Sequence, residues 1–94
     1  MFFQDALKAI REGKKATNKL WKEKNEFLFY SDVQFIPYDK LEESVKRFVK
    51  KEDVIGKEVM IHPHIAKKTG DGNIMVGWTP NQSDMLGDFW NIVE

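Results

Sequence analysis

The stretch from Gly77 to Trp90 constrains the fold more than any other part of this sequence. It holds two of the three tryptophans together with an X-Pro turn and several short polar residues. Thr79-Pro80 cannot continue a strand through its centre, because proline lacks an N–H and forces its predecessor into extended geometry. We therefore predict a corner in the chain that presents Trp78 beside polar side chains.

The second half of this stretch predicts a short helix followed by a strand. Ser83 is suited to cap a helical turn over residues 84–86, and Asp84 then lies at the positive end of the helix dipole. Gly87 is expected to end the turn. The aromatic and β-branched residues at 89–93 favour a closing strand.

The remaining segments predict an α+β domain. Apolar residues at positions 3, 6, 7 and 10 indicate a helix over 3–12, and Gly70 to Asn73 is typical of a hairpin turn. Asp39, with Glu42 as its capping-box partner, predicts a helix over 40–51. Further strands are predicted over 16–21, 27–30, 33–36 and 57–61. Residues 63–69 are expected to be extended, and residues 74–76 lead into the corner at Trp78. We expect a small antiparallel β-sheet with two or three short helices in one domain over 1–94.

Composition excludes several classes of function. Fifteen basic and fifteen acidic side chains cancel, so no net field favours nucleic acid or a membrane surface. The chain has no cysteine, which excludes disulfide scaffolds, thiolate metal sites and cysteine nucleophiles. We find no signal peptide and no membrane span, so a cytoplasmic protein is expected.

The sequence contains no convincing catalytic set. His62 and His64 would point to one face of a strand, and Asp71 or Asp84 could complete a metal site. Surface or hydrogen-bonded histidines are the commoner explanation for such a pair. No serine lies in a nucleophile elbow, and no acid–base pair stands out. We therefore predict no catalytic residues, no metal and no cofactor.

The aromatic residues favour a binding surface for a small nucleotide. Flat side chains can stack on a planar base, and lysines close in sequence to Trp21, the first of these aromatics, can neutralise phosphate. A sheet core would account for many of the same aromatics. The aromatics are Trp21, Phe27, Phe29, Tyr30 and Trp78, and the lysines are Lys14, Lys15, Lys19, Lys22 and Lys24.

Two segments resemble the second Thoeris anti-defence family, which is encoded by phages. They are the opening FQDALKAIREGKKATNKLW and the ending PHIAKKTGDGNIMVGWTPNQSDMLGDFWNIV. The most specific part is SDMLGDFW, although Asp88-Phe89-Trp90 stands where the family has Asp-Trp. Asn18-Lys19 replaces a common arginine before the tryptophan, and lysine lacks the bidentate fork of arginine. The middle, residues 32–58, shares no motif with the family.

The resemblance implies a nucleotide sponge. Members of this family hold cyclic ADP-ribose isomers made by a bacterial Thoeris TIR enzyme, glycocyclic ADP-ribose among them, without cleaving them, and some bind cyclic dinucleotides. They assemble as homotetramers with pockets at subunit interfaces. The resemblance also implies that this chain would act in the cytoplasm of the infected bacterial host. The implied ligand contacts are Trp21, Trp78 and Phe29 for stacking, Thr79, Gln82 and Asp84 for polar groups, and Lys19 near phosphate. Trp90 is expected to close the core.

Two alternatives to the sponge stay open on the sequence. One is a phage inhibitor that docks the predicted helix 40–51 onto a host enzyme. The other is a small metal-dependent phosphodiesterase that uses His62 and His64. The sequence does not discriminate between isomers of the cyclic nucleotide, because they differ in shape rather than in functional groups.

Overall fold

The computed structural model describes the backbone of residues 1–94 and every side chain except that of Ile55. The chain divides into a larger unit, residues 1–31 with 64–94, and a smaller unit, residues 32–63. The smaller unit coincides closely with the segment that shares no motif with the family. The single domain predicted over 1–94 stays a prediction.

The predicted α+β class is confirmed by a five-stranded antiparallel sheet, a separate two-stranded sheet and three short α-helices. In chain order the elements are α1 (Phe3–Arg11), β1 (Lys15–Asn18), β2 (Phe27–Ser31), β3 (Gln34–Pro37), α2 (Glu43–Lys46), β4 (Glu58–Ile61), β5 (His64–Lys68), β6 (Ile74–Val76), α3 (Gln82–Leu86) and β7 (Trp90–Val93). No helix among the described residues has the length and apolar character needed to cross a bilayer.

The larger unit is built on the sheet β6-β5-β2-β1-β7. Residues opposite one another in neighbouring strands point to the same face, and the pairs include Ala16 with Leu28 and Leu28 with Lys67. We call the face that carries these three residues and Trp90 the helix face, because α1 packs on it. The residues that lie between these along each strand, among them Phe29, point to the opposite face.

Helix α1 supplies two of the five residues in the core cluster on the helix face. Ala6 and Ile10 have no exposed surface, and they meet Leu28 and Trp90, which are equally buried. Each large side chain buried in this way contributes about 1.5–3 kcal/mol through removal of apolar surface from water. The predicted apolar stripe of the first helix is therefore confirmed as its buried face.

In the smaller unit, β3 pairs with β4 in antiparallel register, with Phe35 opposite Met60. The predicted helix over 40–51 is wrong, because only the four residues of α2 are α-helical. Short 3-10 turns flank it at Tyr38–Lys40 and Lys51–Asp53. Asp39 lies inside the first of these turns and does not cap a longer helix.

The predicted helix fails because its apolar residues do not share one face. Leu41 is extended, with φ −67° and ψ 147°, and this turns its side chain into a buried position. Phe48 leaves 82% of its surface exposed. The Tyr38 hydroxyl donates to the Val49 carbonyl at 3.1 Å, which ties the segment to its own first turn. Packing of Leu41 and Tyr38 outweighs the helical periodicity.

Candidate functional site

The helix face ends in a cluster of four aromatic rings. Trp90 is fully buried at its centre, with its ring centroid 5.4 Å from Phe3, 5.5 Å from Trp21 and 6.0 Å from Trp78. Trp21 and Trp78 are half-buried and contact each other edge to face, with centroids 6.4 Å apart and planes at 69°. The structure thus brings together the two tryptophans that the resemblance assigns to stacking. It also confirms that Trp90 belongs to the core.

Backbone turns at both tryptophans fix their positions. Strand β1 ends at Asn18, three residues before the predicted end, and the side chain of Asn18 accepts a hydrogen bond from the Leu20 N–H at 2.9 Å. The Trp21 N–H then donates to the Asn18 carbonyl at 3.1 Å. Asn18 is the one described polar residue in the buried class, at 4% exposure. Sequence reasoning missed it, although an Asn inside a predicted strand is a turn signal.

Trp78 is placed by an irregularity in the sheet edge. Gly77 adopts φ +74°, a backbone conformation that is unfavourable for residues other than glycine. The Trp78 N–H donates to the Ile65 carbonyl at 2.9 Å. The extra residue turns the Trp78 side chain out of the plain alternation of β6 and towards the Trp90 ring.

Lys67 is the cation that the structure places beside Trp21. Its Nζ lies 4.0 Å from the centroid of the Trp21 ring and 3.5 Å from a carboxylate oxygen of Glu26. The side chains of Lys67 and Glu26 are only 15% and 10% exposed. Lys19, the predicted cation, has an exposed side chain, and its N–H donates to the Phe89 carbonyl at 2.8 Å. Lys67 lies opposite Leu28 in the pair of β2 and β5, and knowledge of this strand pairing would have identified it.

Asp84 is engaged in capping α3. Its N–H donates to the side chain of Asn81 at 2.8 Å, and its carboxylate accepts from the Asn81 N–H at 2.9 Å. This reciprocal pair is a capping box. Asn81 is therefore the N-cap, and the prediction that Ser83 caps the helix is wrong. Gln82, in the first turn of α3, is exposed.

Gly87 ends α3 for a different reason from the one predicted. Its φ of −85° is not left-handed, so the C-terminal glycine motif is absent there. A Cβ at this position would lie 2.4 Å from the Phe89 ring and 2.9 Å from the Ser83 carbonyl oxygen. Close approach of Phe89, and not backbone conformation, requires glycine here.

The other predicted contacts divide between two faces of the sheet. Thr79 is exposed and follows Trp78 directly. Phe29 lies on the opposite face, paired in register with Ala66 and 6.1 Å from Phe27. The structure therefore does not bring Phe29 to the pair of Trp21 and Trp78.

The opposite face has its own aromatic and cationic group around Phe27. Lys15 Nζ lies 5.0 Å from the Phe27 centroid and Lys68 Nζ lies 5.7 Å from it. Lys68 also donates to the Asn25 carbonyl at 3.0 Å. A cleft of about 490 Å³ is lined by these residues with Thr17, Glu26 and Val93. None of the clefts described on this chain is lined by Trp21 or Trp78.

The predicted turn over 70–73 is confirmed between β5 and β6, and Thr69 organises it. The Thr69 hydroxyl donates to a carboxylate oxygen of Asp71, and the Asn73 N–H donates to the Thr69 hydroxyl at 3.0 Å. The bond from Thr69 lowers the pKa of Asp71 below its ordinary value of 3.8, and bonds from Asn73 add to the effect. The sequence Lys68-Thr69-Gly70-Asp71-Gly72 thus builds a turn.

The two histidines do not lie on one strand. His62 follows the end of β4, in the smaller unit, whereas His64 begins β5 in the larger one. Among the residues that the structure describes, no group of three or more His, Cys, Asp or Glu side chains is arranged to hold a metal ion.

Comparison with known proteins identifies a family. A family model described as the Thoeris anti-defense 2-like (Tad2-like) domain matches residues 1–93. No protein of curated function matches the chain.

Proposed function

The chain belongs to the Thoeris anti-defense 2-like family, and we propose that it sequesters the Thoeris signal. Membership of this family supports a phage anti-defence role against Thoeris. The ligand is a cyclic ADP-ribose-type nucleotide made by a bacterial TIR enzyme, with glycocyclic ADP-ribose as the first candidate and cyclic dinucleotides as a second class. The protein binds this nucleotide in the host cytoplasm without cleaving it. The effector of the host then never meets its activator.

The contact between Trp21 and Trp78 is the observation that carries this proposal. The rings lie 6.4 Å apart and both keep part of their surface exposed. Stacking of a nucleobase on an aromatic side chain contributes about 1–3 kcal/mol. Exposed Thr79 and Gln82 lie in the segment that follows Trp78 and supply hydroxyl and amide groups for ribose.

Lys67 supplies the charge for the diphosphate. It lies against Trp21 and shares its charge with Glu26, at 3.5 Å. An incoming phosphate competes with Glu26 for this ammonium group. The side chains of both residues are largely shielded from water, so the competition takes place where charge–charge interactions are stronger than in bulk solvent.

The partial exposure of the tryptophan pair favours assembly. Ligand sites normally enclose most of a small molecule, whereas Trp21 and Trp78 each keep part of their surface exposed on the single chain. A second copy would cover the ligand from the other side. We therefore propose a homotetramer, with each nucleotide held where two subunits meet.

Sequestration without turnover fits the chemistry of the nearby side chains. The chain has no cysteine to attack the ligand. The carboxylate of Asp84 is engaged by the Asn81 N–H, and that of Asp71 by Thr69 and Asn73. Nanomolar affinity corresponds to about −12 kcal/mol, and two stacking residues, a cation and ribose contacts at an interface are suited to supply it.

A titration of glycocyclic ADP-ribose with increasing amounts of protein tests the proposal. After ultrafiltration, the free ligand should fall in proportion to the protein added. Denaturation of the complex should release intact cyclic nucleotide, as identified by mass spectrometry. The double variant His62→Ala/His64→Ala should capture ligand as the wild type does. Recovery of a linear or hydrolysed product in excess of one equivalent per site would overturn the proposal and favour an enzyme.

A protein-docking role is the second candidate, because the smaller unit exposes aromatic side chains. Phe48 and Phe35 leave 82% and 61% of their surfaces exposed. Phe48→Ser separates the two functions: loss of anti-Thoeris activity with normal nucleotide capture would favour docking. Activity equal to that of the wild type would leave sequestration as the function.

A further inference from the structure

The two edges of the five-stranded sheet differ in how they are protected. On the β7 edge, the Met1 amino group donates to the Trp90 carbonyl at 2.8 Å, and the Trp90 N–H donates to the Met1 carbonyl at 3.0 Å. The same amino group forms an ion pair with Asp88 at 3.0 Å, and Glu94 follows the strand. A backbone pair and nearby charges are features that discourage pairing with another strand.

The β6 edge has none of these features among the described residues. Its three side chains are apolar, and Ile74, Met75 and Val76 leave 53%, 48% and 68% of their surfaces exposed. The strand pairs with β5 on one side and ends the sheet on the other. An exposed apolar edge strand without charge or proline is a template for strand addition.

The register of the β5–β6 hairpin shows which backbone groups are available at this edge. The Thr69 N–H donates to the Asn73 carbonyl at 2.8 Å, so the backbone groups of Asn73 point towards β5. Backbone direction alternates along an antiparallel strand. The N–H and C=O groups of Ile74 and Val76 therefore point away from β5, towards the edge, and those of Met75 point inward.

Charge distribution identifies a second copy as the partner. Residues 72–83 include no charged side chain, in a chain with fifteen basic and fifteen acidic residues. Near a two-fold axis a side chain meets its own copy, so that any charge there would face a like charge. An uncharged strand with exposed apolar side chains satisfies this requirement.

We propose that β6 is a self-pairing edge, through which two copies join antiparallel about a two-fold axis at Met75. Ile74 then lies opposite Val76 of the partner subunit, and their outward N–H and C=O groups form hydrogen bonds in both directions. Ile74 and Val76 also share the opposite face with Phe27 and Phe29. The apolar parts of that face become continuous across the two copies.

This inference names one interface of the proposed homotetramer and does not require a ligand. Its test measures mass without nucleotide, whereas the proposed function is tested by ligand capture. Either can therefore fail while the other holds.

Charge substitutions at Met75 test the axis directly. Met75→Lys and Met75→Glu each place like charges opposite each other, and the mass from light scattering at micromolar concentration should fall to half. Mixing the two variants in equal amounts should restore the wild-type mass, because unlike charges then meet. Leu86→Lys, at an apolar residue with 73% exposure outside the sheet, should keep the wild-type mass.

A backbone variant covers the case in which a charged variant fails to fold by circular dichroism. Val76→Pro removes an N–H that points away from β5 and leaves that side of the strand in place. Its mass should also fall to half. A wild-type protein with the mass of one chain, or folded Met75 and Val76 variants with unchanged mass, would overturn the proposal.

Discussion

The indole N–H of Trp90 donates a hydrogen bond to the backbone carbonyl of Asp84 at 2.8 Å. Trp90 has no exposed surface, so this bond ties α3 to the buried centre of the larger unit. The segment between Trp78 and α3 is consequently held at both ends by the same ring. The contacts of this core residue therefore fix the positions of the exposed residues Thr79 and Gln82.

Trp90→Ala should lower the free energy of unfolding by about 3–5 kcal/mol, because it removes a buried ring that contacts Phe3, Trp21 and Trp78. Trp90→Phe should cost less, since it keeps most of the apolar volume and loses the bond to Asp84. Urea unfolding followed by circular dichroism measures both. Leu86→Ala should change the free energy by no more than about 0.5 kcal/mol. Equal losses of unfolding free energy in all three variants would contradict the central role of Trp90.

Trp21→Ala and Trp78→Ala should each weaken binding of glycocyclic ADP-ribose by about 2–4 kcal/mol while the protein stays folded. Both rings are half-buried and flank Trp90, so part of each is available to a ligand. Isothermal titration calorimetry measures the affinity, and urea unfolding measures the accompanying loss of stability. Phe48→Ala, in the smaller unit, is the control that should bind normally. Unfolded variants would assign both tryptophans to the core alone.

Substitutions in the pair of Lys67 and Glu26 should have opposite effects on ligand affinity. Lys67→Met removes the cation beside Trp21 and should weaken binding of the nucleotide. Glu26→Gln releases Lys67 from its ion pair and should tighten binding, with an effect that shrinks as salt is added. Lys19→Met, at the cation predicted from the sequence, is the matched comparison. A larger loss of ligand affinity in Lys19→Met than in Lys67→Met would assign the phosphate contact to Lys19.

Asp84→Asn distinguishes capping from ligand contact. Asparagine keeps a side-chain oxygen that can accept from the Asn81 N–H, so stability should change little. Loss of affinity in this variant would assign the carboxylate to the ligand. Asn81→Ala removes the cap itself and should lower the free energy of unfolding by about 1 kcal/mol. If α3 keeps its stability in Asn81→Ala, the capping box does not support the helix.

Thr69→Val should raise the pKa of Asp71 towards 3.8, because the Thr69 hydroxyl is the main cause of its lowered pKa. The folded-state pKa lies below the unfolded value, so the ionised carboxylate favours the folded turn above the unfolded pKa. That contribution is lost as the pH falls below 3.8 and through the folded-state pKa. An NMR titration of the Asp71 side chain measures the shift. Ser83→Ala, which removes a distant hydroxyl, should leave this pKa unchanged.

The sequence predicted those parts of the fold that depend on local signals. The turn at 70–73 and the first helix both formed where turn residues and periodicity indicated. These features are determined by neighbours in the chain, which a sequence displays directly.

The parts that the sequence did not predict depend on contacts between distant residues. The helix over 40–51 was lost because Leu41 is buried and Tyr38 bonds to Val49. Lys67 was missed because its place beside Trp21 is set by cross-strand register, whereas Lys19 is merely near Trp21 in sequence. Both cases require knowledge of which strands pair, and no local pattern contains it.

The order of strands has a consequence for synthesis of the protein. Strand β1 lies between β2 and β7, with Lys15 opposite Val93. The five-stranded sheet can close only after residues 90–93 have left the ribosome, whereas residues 32–63 emerge as one continuous segment. We expect the smaller unit to gain its contacts first on the ribosome, while β1 and β2 wait, with their apolar side chains accessible to chaperones, for the strands that complete the sheet.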